Sequence, residues 1–303
     1  MRVGISLTSS HAVKDPRDGA RFMIERAAAA HRSGLDSLFV GDHHSTPAPY
    51  YQNVPILGRL LAEWGGAPAG CLFLLPLWNP VLVAEQVGTL AAIARGRFIV
   101  QCGLGYDEPQ FAAMGTSTKY RPSAFEESLS IVQRLLRGET VSSSGRFVFR
   151  EARVAPRPAE SVEYWIGASA RPAIDRTARL GDGWLAAPGL TVDEARDQAA
   201  YYLERCKAYG RKPTAVAIRR DIYVGESAAE AEQVLKGVLA AGYRGIAPPA
   251  LVSGSVAEVV ERFRALAALG YTDVIVRHLT TDHARVLGSL ARLREVREAL
   301  KGV

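Results

Sequence analysis

The sequence predicts an α/β protein, a single (β/α)8 TIM barrel over residues 1–303, with insertions after some strands. Short apolar segments of strand type alternate with longer segments that carry apolar residues at helical spacing. Eight strands occur, nearly all followed by a helix, which fits either an open doubly wound sheet or a closed barrel. Eight units in 303 residues favour the barrel.

Prolines, glycines and small polar residues mark the boundaries of the predicted elements. The first helix ends at Gly34, and the helix at 80–96 is opened by proline and closed by glycine. Ser123 with Glu126 predicts a capping box for the next helix. The predicted strands are 3–7, 36–40, 69–77, 97–105, 162–168, 183–187, 215–225 and 272–279. The predicted helices are 16–34, 54–64, 80–96, 123–138, 171–180, 192–209, 227–242, 255–270 and 282–300.

One segment breaks the alternation of strands and helices. Residues 140–156 alternate about Ser-Ser-Gly, which predicts a hairpin inserted at the surface. The apolar run at 69–77 is continuous, as is typical of a strand that is buried on both faces.

The composition argues against several classes of protein. The net charge is +6, but the arginines are dispersed over helices, whereas a nucleic-acid surface needs a cluster. The three cysteines are isolated and show no zinc spacing. The amino terminus lacks a signal-peptide pattern, and no 18-residue apolar stretch occurs. We therefore expect a cytoplasmic protein that binds neither nucleic acid nor membrane.

Titratable residues follow the second strand, where a barrel of this type carries its active site. Asp42, His43 and His44 stand in a row at the carboxyl end of that strand. A histidine at such a rim suits proton transfer or hydrogen bonding to a developing anion. The alternative is structural, with Asp42 capping a turn and one histidine packing outward. The ends of other strands supply further candidates for a substrate pocket that includes His44: His11, Trp78, Trp184 and His278.

A metal site is not expected at this row of residues. Neighbours on an extended chain point to opposite sides, so one or two of the three could face a common ion. A zinc site needs three or four convergent ligands, which would have to come from His11 or His278 on other strands.

Two glycine-containing stretches follow the fourth and fifth strands. Gly103 and Gly105 form half of a dinucleotide fingerprint, but Glu108 replaces the third glycine, so we interpret them as a turn or as close approach to a flat ligand. The 167–169 stretch, Gly-Ala-Ser, precedes a helix whose free N–H groups suit a phosphate, with Arg171 adding charge. The alternative is an ordinary turn with a serine cap.

Four stretches, taken in order and with their spacing, resemble the bacterial luciferase-like monooxygenase family over essentially the whole chain. They are "AAAAHRSGLDSLFVGDHH", "LFLLPLWNPVLVAEQVGTLAAIARGRFIVQCGLGYDEPQFAAMG", "RPSAFEESLSIVQRLLRGETVSSSGRFVFREARVAPRP" and "YWIGASARPAIDRTARLGDGW". The resemblance implies a barrel with a flavin or deazaflavin in its mouth. One branch of the family uses reduced FMN with oxygen, and the other uses coenzyme F420 for hydride transfer.

The resemblance also implies roles for individual residues. His43 would be catalytic with support from Asp42, and a non-proline cis peptide would lie at Leu74–Leu75 behind the flavin ring. The cofactor-binding residues would be Leu74, Leu75, Cys102, Gly103, Gly105, Tyr106, Gly167, Ala168, Ser169 and Arg171. Arg121 and Arg220 are further candidates for the phosphate.

The resemblance leads to an expected function with two alternatives. We expect a monooxygenase that uses reduced FMN, supplied by a separate flavin reductase, on a small organic molecule. The alternatives are an F420-dependent dehydrogenase or reductase and a non-catalytic flavin-binding protein. Asp42 matches several F420 members and His44 matches the luciferases, so this motif leaves the cofactor open. A homodimer is expected, with the apolar side of the helix at 54–64 as its contact.

Overall fold

Eleven strands and ten α-helices are present in the computed structural model of the protein, which describes residues 1–302. The strands are β1 (Arg2–Leu7), β2 (Ser37–Val40), β3 (Ala69–Leu74), β4 (Phe98–Gly103), β5 (Val141–Ser144), β6 (Val148–Ala152), β7 (Glu163–Gly167), β8 (Gly183–Ala186), β9 (Ala215–Val224), β10 (Val252–Gly254) and β11 (Asp273–His278). The helices are α1 (Pro16–Arg32), α2 (Asn53–Trp64), α3 (Pro80–Ile93), α4 (Glu108–Ala113), α5 (Arg121–Leu136), α6 (Arg171–Leu180), α7 (Val192–Ala208), α8 (Ala228–Ala240), α9 (Val256–Ala268) and α10 (His283–Ala299).

Eight of these strands form a closed parallel barrel. Their order is β9-β11-β1-β2-β3-β4-β7-β8, and pairing of β8 with β9 closes the ring. The short strand β10 adds to the other edge of β9, while β5 and β6 form a separate antiparallel hairpin. The predicted (β/α)8 barrel is confirmed, and its eight strands coincide with the eight predicted segments.

The barrel has two apolar layers, as expected for parallel strands that are buried on both faces. Side chains that point inward fill the barrel itself, among them Phe39, Ile99, Trp165 and Ile275. Side chains that point outward form a larger core against the surrounding helices. This alternation decides which residues at the strand ends face the mouth of the barrel.

The predicted capping box at Ser123 and Glu126 is wrong. Helix α5 begins two residues earlier, at Arg121, and Pro122 occupies its first turn, where the fixed φ of proline suits a helix start. The Ser123 hydroxyl donates to a backbone carbonyl, and Glu126 forms ion pairs with α6, one of them with Arg176 at 2.7 Å. The carboxylate therefore ties two helices together.

The apolar side of α2 is occupied within the protein. Ile56, Leu57, Leu60 and Trp64 are buried in the core between this helix and the barrel. The expected dimer contact on this side of the helix is therefore wrong. None of the helices in the described chain is long and apolar enough to cross a membrane.

Close strand packing at Gly70 gives a test of the barrel. A Cβ at this position of β3 would lie 1.7 Å from the carbonyl oxygen of Ile99 on β4. We expect Gly70→Ala to lower the free energy of unfolding by about 3 kcal/mol, because the two strands must separate. Urea unfolding measures this change. The control is Gly237→Ala in α8, where no atom lies within 4 Å of the new Cβ, and this variant should be as stable as the wild type or more stable. An unchanged urea midpoint in Gly70→Ala would contradict the close packing of β3 against β4.

Candidate active site

A cavity of about 510 Å³ lies at the carboxyl ends of the barrel strands. Such a position is where enzymes with this fold bind their ligands. We call it the central cavity. Ten of the predicted site residues line it: Asp42, His43, Leu74, Cys102, Gly103, Gly105, Tyr106, Gly167, Ala168 and Ser169. Seven others do not: His11, His44, Leu75, Trp78, Arg171, Trp184 and His278.

The buried carboxylate of Asp42 joins the end of β2 to the end of β3. Its Oδ2 accepts hydrogen bonds from the Leu74 backbone N–H and from the Trp78 indole N–H, both at 2.8 Å. Its Oδ1 lies 3.1 Å from Nε2 of His44. His44 and Trp78 were predicted to line the substrate pocket, but they lie outside the central cavity and contact Asp42 from behind its wall.

His43 is held by a side chain from another strand unit. Gln110 of α4 accepts from the His44 backbone N–H at 3.0 Å through Oε1 and donates to Asp107 at 2.7 Å through Nε2. These two partners fix the orientation of the Gln110 amide, because the His44 N–H can only donate and the Asp107 carboxylate accepts. The same Nε2 lies 3.3 Å from Nδ1 of His43. Nδ1 is therefore an acceptor, and the proton of the neutral imidazole is on Nε2.

The environment of His43 favours the neutral ring. Burial lowers the pKa of His43, and the nearby carboxylate of Asp42 opposes this effect only in part. A second proton on Nδ1 would also face the amide donor of Gln110. Nε2 makes no hydrogen bond to any residue between 1 and 302, which leaves its N–H free for a ligand.

The expected cis peptide at Leu74–Leu75 is absent. Among the described residues, the only cis bond precedes Pro156. The chain leaves β3 through a 3₁₀ turn at Leu75–Leu77, closed by the Trp78 N–H and the Leu75 carbonyl. This turn redirects the backbone without a cis bond and buries Leu75 in the core.

His11 and His278, predicted for the substrate pocket, lie outside the central cavity and make hydrogen bonds within the protein. His11 hydrogen-bonds to the Thr8 carbonyl and packs edge-on against Tyr51, and His278 hydrogen-bonds to Ser289 of α10 at 3.1 Å. Burial lowers the pKa of His11 to about 4 and that of His278 to about 3. No group of three metal-ligating side chains occurs in the part of the chain that the structure describes.

Trp184 and Arg171 also lie outside the central cavity. Trp184 is completely buried and donates its indole N–H to the Ala168 carbonyl at 2.9 Å, so it supports the cavity wall from behind. The Arg171 guanidinium stacks on the ring of Tyr201. Helix α6 is capped by Ala170, so the alternative that Ser169 is the N-cap is also wrong.

The two other arginine candidates for a phosphate are engaged with backbone carbonyls. Arg121 donates to Gly105 at 2.9 Å and thereby holds the glycine turn after β4. Arg220 is buried and donates to Pro188 at 2.9 Å.

Sequence reasoning missed six polar residues of the central cavity. They are Ser6, Gln101, Asp107, Gln110, Arg219 and Arg244. Gln101 and Arg219 interrupt strands that are otherwise largely apolar, which is the signal that could have revealed them. Gln110 and Arg244 lie in segments with no such pattern.

A family model described as luciferase-like monooxygenase matches residues 1–248. The chain belongs to this family. It is 26% identical to an F420-dependent glucose-6-phosphate dehydrogenase of Intrasporangium calvum, over 94% of this chain and 96% of that protein. A protein with the same description from Beutenbergia cavernae is 29% identical, over 57% of this chain and 53% of the relative's length.

Solved structures with the same fold include enzymes of both cofactor types. A monooxygenase, RslO1 from Streptomyces bottropensis, has a TM-score of 0.85 at 19% identity, over 97% of this chain and 98% of that one. An F420-dependent secondary alcohol dehydrogenase with an F420–acetone adduct has a TM-score of 0.79 at 18% identity, over 99% of both chains. A Baeyer–Villiger monooxygenase of Pseudomonas putida in complex with FMN has a TM-score of 0.83 at 18% identity, over 99% of this chain and 98% of that one. At these identities the likeness shows the fold of the luciferase-like family.

The Gln110 amide gives this luciferase-like protein a testable histidine tautomer. We expect ¹⁵N-histidine NMR to find the proton of neutral His43 on Nε2. Gln110→Glu should move it to Nδ1 and raise the pKa of His43, because a carboxylate accepts from Nδ1–H and stabilises the imidazolium. Gln233→Glu, the same change at an exposed position of α8, should alter neither. An Nδ1 proton in the wild type would contradict the assignment.

Acid should destabilise the protein through its buried histidines. An unfolded histidine takes up a proton near pH 6.5, whereas His278 and His11 remain neutral to about 3 and 4 in the fold. The unfolded chain then binds more protons, so the free energy of unfolding should fall as the pH decreases below about 6.5. In His278→Asn, the free energy of unfolding should fall less steeply with decreasing pH than in the wild type. Urea unfolding at several pH values below about 6.5 measures both slopes. An equal slope in both proteins would refute the role of His278.

Proposed function

We propose that this protein is an F420-dependent oxidoreductase that interconverts a hydroxyl group and a carbonyl group on a small organic molecule. The observation that carries the choice of cofactor is the similarity to F420-dependent glucose-6-phosphate dehydrogenases, which extends over 94% of this chain in one case. This favours the alternative from the sequence over the reduced-FMN monooxygenase, for which support comes from fold neighbours.

The central cavity has the features that a flavin-like ring requires. Gln101 of β4 is buried at the cavity wall, and its Nε2 has no hydrogen-bond partner within residues 1–302. A buried donor without a partner is rare and points to an acceptor on a ligand, such as a ring carbonyl. Leu72 and Leu74 supply an apolar wall beside it.

The turn after β4 brings backbone close to the same wall. Gly105 has φ +73°, and a Cβ there would lie 2.8 Å from the ring of Phe111. A residue with a side chain would be strained at this φ and would clash. The Gly103–Gly105 turn and the Gly167–Ser169 turn would hold the cofactor, and Asp42 would hold the end of β3 in place.

His43 is positioned to act on the oxygen atom of the substrate. The chemistry that F420 would supply in this site is the exchange of a hydride with a substrate carbon. The Nε2–H of neutral His43 would donate a hydrogen bond to the oxygen on that carbon, which stabilises negative charge as it develops there. A neutral imidazole donor is useful for this purpose because it polarises the oxygen without a buried cation.

The partners expected of an F420-dependent enzyme differ from those expected of an FMN-dependent monooxygenase. The separate flavin reductase belongs to the FMN hypothesis, and an F420-dependent enzyme does not need it to activate oxygen. A small organic substrate remains part of the proposal. The homodimer also remains a proposal, with a contact other than the apolar side of α2.

Cofactor binding followed by turnover tests the proposed function. We expect equilibrium dialysis to show F420 bound with at least tenfold higher affinity than FMN. Reduction of the F420 chromophore would be used to measure turnover with glucose 6-phosphate and with simple secondary alcohols. His43→Ala should lower kcat by about 100-fold, because the donor to the substrate oxygen is lost.

Two further variants make this experiment specific. His43→Gln keeps an N–H donor and should recover part of the activity, whereas His31→Ala changes an exposed histidine of α1 and should have no effect. Tight FMN binding without F420 binding, together with oxygen-dependent oxidation of a substrate, would instead establish the monooxygenase.

A further inference from the structure

Three arginines converge on one side of the barrel mouth, where a single buried carboxylate faces them. Arg219 on β9 and Arg244, in the segment after α8, both line the central cavity. Arg277 on β11 and Arg244 line a second cavity of about 500 Å³ beside it. The carboxylate is Asp221 on β9, which is completely buried. We call these three arginines the arginine cluster.

Asp221 is already saturated by two members of the cluster and a tyrosine. Arg219 Nε lies 3.2 Å from Oδ1, and Arg244 Nη1 lies 2.9 Å from Oδ2. The hydroxyl of Tyr243 donates to the same Oδ2 at 2.6 Å. The carboxylate needs no third cation, so its presence does not explain why Arg277 lies in this cluster.

Arg277 has no carboxylate partner in the described part of the chain. Its Nε donates to the Thr8 hydroxyl at 3.2 Å, and its two terminal nitrogens make no hydrogen bond to any residue from 1 to 302. Burial, then the charges of Arg244 and Arg219, lowers the pKa of Arg277 to about 10. A half-buried cation next to two others is unfavourable by itself and becomes favourable when an anion is bound.

The backbone of Arg244 supports a functional role. Its φ is +43°, a conformation that side-chain-bearing residues rarely adopt. The ion pair with Asp221 holds the residue in this conformation and keeps its guanidinium between the two cavities. Strained residues of this kind concentrate at ligand sites.

We propose that the arginine cluster binds a doubly charged anionic group, such as a phosphate monoester, on the substrate; this inference rests on the proposed function. Three cations against one carboxylate leave two positive charges to be neutralised, and guanidinium groups match the geometry of phosphate oxygens.

The position of the cluster assigns the anion to the substrate and not to the cofactor. Around the barrel, β11 lies opposite β4, which carries the Gly103–Gly105 turn that would hold the cofactor, and β8 separates β9 from β7, which carries the Gly167–Ser169 turn. Arg219 and Arg244 line the central cavity together with His43, so an anion bound to these two arginines shares that cavity with the reacting oxygen. One small molecule can therefore contact both the cluster and His43.

Phosphate binding to the apoprotein tests this proposal with inorganic phosphate as the probe. Isothermal titration at constant ionic strength should show binding that is at least tenfold weaker in Arg277→Met. This variant leaves no carboxylate unpaired, so it should fold normally. Arg17→Met removes the same charge from a side chain that is 92% exposed and should bind phosphate like the wild type.

Repeating the titration with saturating F420 separates the two sources of the anion. Unchanged phosphate binding, and equal F420 affinity in wild type and Arg277→Met, would support the substrate site. Loss of phosphate binding in the presence of F420, or weaker F420 binding in Arg277→Met, would overturn it in favour of the cofactor. Phosphate binding that is absent, or equal in all variants, would also overturn it. Failure to bind F420 would refute the proposed function, and the apoprotein titration would still decide on the anion site.

Discussion

The candidate site depends on a completely buried carboxylate at the end of the second barrel strand. Asp42 accepts hydrogen bonds from the backbone at Leu74 and from the indole of Trp78, so it fixes the end of β3 relative to β2. Without the carboxylate, each of these donors would be left unpaired at a cost of about 1–3 kcal/mol. The Asp42 carboxylate therefore fixes the cavity wall at Leu74. It also fixes the backbone at the end of β2, which positions His43.

The second constraint is a hydrogen-bond chain that crosses between strand units. Asp107 and the backbone at His44 orient the Gln110 amide, and the amide in turn selects the tautomer of His43. Each step depends on a donor or acceptor whose role cannot be exchanged. The neutral N–H donor that His43 offers thus follows from hydrogen bonds made by other residues of the site.

The sequence predicted the fold well because the barrel is specified by local periodicity. Each strand is a short, mostly apolar segment and most helices carry a 3.6-residue pattern, so the elements can be identified one at a time. The capping box at Ser123 failed because a proline one residue earlier determines the helix start. The predictions that placed His11 and His278 in the substrate pocket failed for a different reason. Whether a residue at a strand end points to the mouth or to the helices depends on register, which the sequence pattern does not fix at the ends of strands.

The polar contacts of the site could not be predicted, because they join residues that are distant in the chain. Gln110 and His43 are separated by 67 positions, and Arg277 and Thr8 by 269. The strand order converts these separations into contacts and also distributes charge around the mouth: glycine turns on β4 and β7, arginines on β9 and β11, and a neutral histidine on β2 between them. A ligand pair consisting of a flat ring and a small anionic molecule matches this distribution, since the ring needs backbone approach and the anion needs uncompensated positive charge. The neutral state of His43 fits the same arrangement, because another cation close to the arginine cluster would be unfavourable.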